Sequence, residues 1–175
     1  MKRSFEERSG VRRAGGLVVC LALAACGSDA AAPTETDLVG QWDYVISGAT
    51  GVGVTGVCSI ADITLTFTQN GDVLAGTATA AGPDNVVCVS ASTTTRTVEG
   101  TATLRNVVVN GASIEFEFGE LSSPAVSSTV PIISTGSVTG GGNTMSGTVT
   151  FAMRFASAGG AVTRAFTGDW TATRR

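Results

Sequence analysis

Histidine is absent from this 175-residue chain, and its single lysine is Lys2, at the extreme amino terminus. Those two gaps exclude a Ser/His/Asp triad, a histidine general base, a Schiff-base lysine and the usual histidine-rich zinc or iron site. Charged residues make up only 14% of the chain and aromatics 6%, with Tyr44 the one tyrosine. Catalysis is left with carboxylates, arginines, one phenol and hydroxyls. Glu115 and Glu117 are the pair to weigh, because residues two apart on a strand share a face about 7 Å apart and carboxylate-based hydrolysis needs such a pair. They fall on the polar side of an alternating segment, so a solvated acidic stripe is the plain alternative. No CxxC spacing is present, and the sequence implies neither a metal nor a cofactor.

What is present begins with a basic head. Lys2, Arg3, Arg8, Arg12 and Arg13 outnumber Glu6 and Glu7, and an uncharged stretch from Leu17 to Ala25 follows. That order, basic then apolar then small, is the order of an export signal. The apolar core of roughly ten residues is well short of the ~20 that a membrane-crossing helix needs. Leu23, Ala24, Ala25 and Cys26 resemble the lipobox of bacterial lipoproteins. The resemblance implies a diacylglycerol on the Cys26 thiol, cleavage just before it, and a cell-envelope protein held by its acyl chains, each buried CH₂ contributing about 0.8 kcal/mol. An ordinary secretory signal cut near the same place is the alternative. Gly27, rather than an aspartate, follows the cysteine, which in that family favours the outer membrane of a Gram-negative cell. Residues 1–25 are therefore expected to be a cleaved signal peptide. Residues 26–37 read as the lipidated cysteine and a flexible tether, polar and small in composition, and 38–175 as one domain.

Past the signal, six arginines face twelve carboxylates, a net charge of −6. Bases scattered singly over so acidic a body argue against nucleic acid, which requires a clustered basic footprint. The expected partners are the membrane, through the lipid, and either a small hydrophobic ligand or another envelope protein. With Cys20 in the signal and Cys26 lipidated by resemblance, Cys58 and Cys88 remain as an even pair in an exported protein, and a disulfide between them is expected. Closing that loop of about 31 residues would contribute roughly 3 to 4 kcal/mol.

From Leu38 onward the pattern is strand after strand. Ile63, Leu65 and Phe67 alternate with threonines, Ile114, Phe116 and Phe118 with Glu115 and Glu117, and Met145 to Phe155 keeps the same period of two. The spacing predicts strands over 40–47, 58–69, 72–81, 86–91, 96–109, 112–120, 130–139, 144–156 and 161–173. Asn70-Gly71 and Asn110-Gly111 read as type I′ hairpins, and Gly141-Gly142-Asn143 and Gly159-Gly160 as further reversals. Gly76, Gly100, Gly147 and Gly168 stand at interior-phase positions, where glycine marks a barrel corner. The expected fold is all-β, an antiparallel up-and-down meander of about 8 to 10 strands closed into a barrel to hide its edges, with a β-sandwich as the alternative.

Gly40-Gln41-Trp42 at the first strand resembles the Gly-x-Trp signature of lipocalins and related calycin barrels, and Gly168 to Arg174 resembles their closing strand. The resemblance implies that Trp42 plugs one barrel end and that Arg174 or Arg175 packs across it. It also implies a non-enzymatic barrel with room for a small hydrophobic ligand. With even positions facing inward, Trp42 and Tyr44 on the first strand and Arg164, Phe166 and Trp170 on the last would line that space, Arg164 receiving an acid group. The competing expectation is that the tryptophans are core, Arg164 is solvated, and the filled barrel is a structural or protein-interaction module, since eight-stranded interiors are often just filled by side chains.

Overall fold

A computed structural model describes residues 34–121, 126–128, 131–155 and 160–175, so the expected signal peptide and Cys26 lie outside the described residues. The strands are β1 (Gly40–Gly51), β2 (Val57–Asn70), β3 (Val73–Ala80), β4 (Val86–Val89), β5 (Thr93–Arg96), β6 (Gly100–Asn110), β7 (Ser113–Phe118), β8 (Val126–Ser128), β9 (Ile132–Thr139), β10 (Thr144–Phe155) and β11 (Val162–Arg174). A four-residue helix, α1 (Glu35–Leu38), precedes them. Eight strands close a ring in the order β1-β11-β10-β9-β7-β6-β3-β2, and β1 pairs with β2 to seal it, all antiparallel. Closure leaves the ring no edge to aggregate. β4 and β5 extend the wall below β3 and β6, and β8 lies along β10 below β9.

Alternation places the core. Trp42, Tyr44 and Ile46 of β1 are buried while Gln41 and Asp43 face water, and Met145, Val149, Phe151 and Met153 do the same on β10. The outer wall is largely threonine. Glycines set the curvature where the sheet bends hardest: Gly136 and Gly147 face each other across β9 and β10, and Trp170 of β11 is Gly147's other partner. A Cβ on Gly136 would stand 2.7 Å from the Trp170 ring, and one on Gly147 would collide with the Thr135 carbonyl oxygen. Gly76 likewise has no room, because the Thr66 carbonyl lies against it.

Several local expectations are corrected. The Asn-Gly hairpins sit where expected, but Asn70 pairs with Val73 and Asn110 with Ser113, so Gly71 and Gly111 are the first turn residues. Their φ of 63° and 59°, with no positive φ at Asp72 or Ala112, is the pattern of a type II′ rather than a type I′ turn. The stretch expected as one strand over 96–109 is broken at 97–99, where Val98 turns into the core and Asn85 holds both its backbone groups. Gly100 is exposed with open space about it, so it is no interior corner. Asp62 and Asn106, at φ of 56° and 50°, form bulges that the alternation did not reveal. The Asp62 bulge lets β3 and β4 share one edge of β2, which sets Cys88 directly opposite Cys58 in the expected disulfide.

The barrel has two unlike ends. At one, tight hairpins meet α1 and the chain terminus. Asp37 accepts from the amide and hydroxyl of Thr34, which orders a stretch that composition assigns to the tether. Those bonds hold the Asp37 carboxyl below its ordinary value. Trp42 donates from its indole to the Leu38 carbonyl at 2.9 Å. The Arg174 guanidinium lies 4.5 Å over the Trp42 ring and donates to the carbonyls of Val39, Asp37 and Gly142. Arg175 pairs instead with Asp43. Replacing Arg174 by Ala should cost about 2 kcal/mol, from one cation–π contact and charge-assisted bonds together. Thermal unfolding reads this as a lowered Tm with strand circular dichroism retained below it, and an unchanged Tm would mean the cap is not held by Arg174.

Candidate functional site

The interior is filled from the capped end by aromatic rings. Tyr44 stacks on Trp170 at 5.4 Å and meets Phe116 and Phe118 edge-on, and Phe116 meets Phe67 and Trp170 in the same way. Such pairs each contribute about 0.5 to 1.5 kcal/mol beyond burial. Polar atoms inside are satisfied: the Tyr44 hydroxyl and Ser134 Oγ share a hydrogen bond at 2.8 Å. The Trp170 N–H is shared by the carbonyls of Thr148 at 3.0 Å and Thr135 at 3.2 Å.

The other end is open in topology and carries the longer connections, β1 to β2, β3 to β4, β7 to β8 and β10 to β11. Here a small void of about 10 Å³ is lined by Ile60, Ile63, Val98, Leu121, Ile132, Phe151 and Met153. That is room for about one water, whereas ligand pockets run from about 300 Å³ upward. Every side chain around it is apolar.

The five nominated ligand residues do not converge. Trp42 belongs to the cap, Tyr44 and Trp170 to the aromatic core, and Phe166 to the open end, stacked on Phe151 at 5.3 Å. Arg164 keeps the inward phase but stands beyond the core, exposed at the rim beside Gly53 of the β1–β2 loop. None of the five lines the void. Two that do, Val98 and Leu121, lie outside regular strands, where no periodicity could have marked them. Glu115 and Glu117 project from the outer wall, opposite in phase to buried Ile114 and Phe116, and Glu117 accepts from the Asn106 amide at 2.8 Å. Among the described residues no three His, Cys, Asp or Glu side chains group as metal ligands.

Fold and interior together define a class: a closed, aromatic-filled, eight-stranded antiparallel barrel with one capped and one loop-bearing end. No family model, curated protein or solved structure matches the chain.

Burial pushes the Tyr44 phenol far above its ordinary value, with the Ser134 bond opposing only in part. The folded state therefore keeps its proton where the unfolded chain loses it, and this contribution is present below about pH 10 and falls away as pH rises above it. As the only tyrosine, Tyr44 should show no phenolate absorbance at high pH until the barrel unfolds; gradual ionisation of the folded protein would contradict its burial. Reducing Cys58–Cys88 should lower the Tm by several degrees, and an unchanged Tm would deny the bond a stabilising role.

Proposed function

We propose that this chain is a lipid-anchored protein of the bacterial cell envelope whose filled, calycin-like barrel is a non-enzymatic interaction or structural module. The observation that carries the reading is the packed interior, in which aromatic rings occupy the space a ligand would need and leave a void of about 10 Å³. The Arg174–Trp42 cap supports the calycin resemblance. The leader with its lipobox at Cys26 supports the anchor, and Gly27 favours the outer membrane. Because α1 and the start of β1 lie at the capped end, the tether joins the body there. The eight residues from Cys26 to Pro33 would, fully extended, reach about 27 Å. The loop-bearing end is then the face turned outward, available to an envelope partner.

A second reading, binding of a small hydrophobic ligand, is favoured by the wholly apolar lining of the void and requires it to expand about thirtyfold to reach a pocket's volume. Native mass spectrometry of the chain extracted from membranes separates the two. The interaction module should show polypeptide plus covalent acyl chains only; an additional bound small molecule would favour the ligand reading. The anchor is tested apart: Cys26→Ser should leave the exported protein soluble, and continued membrane association would contradict lipidation.

A further inference from the structure

Two asparagines stand where their own main chain can attack them. Asn70 and Asn110 form the last pairs of the β2–β3 and β6–β7 ladders, and each is followed by a glycine that opens a two-residue turn. Both asparagines and both glycines are exposed. Among the described residues neither asparagine side chain joins a hydrogen bond, and neither glycine N–H finds an acceptor. Beyond the adjacent residues, nothing lies within 4 Å of the place a Cβ would occupy on Gly71 or Gly111, so the amide nitrogen is open to approach. A ladder also opens first at its tip, which frees the asparagine main chain to rotate.

The other three asparagines lack this combination. Asn85 is buried, its side chain holds both backbone groups of Val98, and Val86 follows it. Asn106 donates to Glu117 and precedes Val107. The Asn143 carbonyl accepts from the Arg174 N–H, and Thr144 comes next. A β-branched neighbour crowds the nitrogen that would attack, whereas glycine carries no side chain at all.

We propose that Asn70 and Asn110 are self-modifying sites, each losing its amide to attack by the glycine that follows. The Gly71 nitrogen gives up its proton and bonds to Asn70 Cγ, the Cγ–Nδ2 bond breaks, and the departing amide takes a proton to leave as ammonia. The product is a succinimide ring. Water then opens either ring carbonyl, yielding aspartate or isoaspartate, with no oxidant, metal or second protein required. Gly111 acts on Asn110 in the same way. Each event turns a neutral amide into a carboxylate, and the isoaspartate form adds a methylene to the main chain at the last rung of a hairpin. Both tips lie at the capped end, so negative charge gathers there, one tip already holding Asp72, while the loop-bearing end is unchanged. The assignment goes beyond the interaction-module reading and does not depend on it.

The test incubates the folded full chain at mildly alkaline pH beside an unstructured peptide with the sequence of Phe67 to Leu74, and follows intact mass and peptide maps. The mass should rise by exchange of NH₂ for OH at two positions, with isoaspartate in the fragments that hold Asn70 and Asn110. Fragments holding Asn85, Asn106 and Asn143 should stay unmodified over the same period. Asn70→Ser combined with Asn110→Ser should abolish the rise, with retained strand circular dichroism showing that the variant folds. No rise in the wild-type chain by the time the peptide has fully converted, or conversion of Asn106 or Asn143 as fast as Asn70, would overturn the proposal.

Discussion

The indole of Trp170, laid on the strip without side chains that Gly136 and Gly147 make across β9 and β10, is the contact on which the barrel's shape depends. A wide ring can sit inside so small a cylinder only where the wall gives up its own side chains. The glycines provide that space and let the two strands approach until any Cβ would collide. Two backbone carbonyls satisfy the indole N–H, so its burial leaves no polar atom stranded. Around Trp170 the remaining rings take edge and stacked positions, and the middle of the barrel is full.

That filling shapes the functional conclusion. A barrel of eight strands with small inward residues can hold a ligand, but this one carries Trp42, Tyr44, Phe67, Phe116, Phe118 and Trp170 on its inner face. The two ends then divide the labour. At the capped end, Arg174 ties the last strand to the first through the Trp42 ring and three carbonyls. At the other, the disulfide fastens the β4–β5 extension to β2.

Much of this was legible in the sequence. Period-two alternation gave the inward faces of β1, β2, β7 and β10, the Asn-Gly pairs located two hairpins, and Gly40-Gln41-Trp42 with the terminal arginines marked the cap. What stayed hidden depends on partners distant along the chain. Nothing near Tyr44 names Ser134, ninety residues away, as its hydrogen-bond partner. Gly136 lies in a run of threonine, serine and glycine that reads as a weak strand, and only the ring of Trp170 explains it. Asp62 and Asn106 bulge because two strands must share one edge or re-phase their valines, and composition does not encode that demand. Arg164 follows the inward phase, yet the core ends before the strand does, and it stands exposed at the rim.

The central claim is that β1 seals the sheet by pairing on both sides while the Trp170 ring packs against Gly136 and Gly147. Nuclear Overhauser contacts in the isotope-labelled protein test it most directly. The account predicts cross-strand contacts from Tyr44 to both Ile63 and Ala172, together with contacts from the Trp170 ring to the Gly136 α-protons. Contacts on one side of β1 only, or a Trp170 ring remote from Gly136, would contradict it.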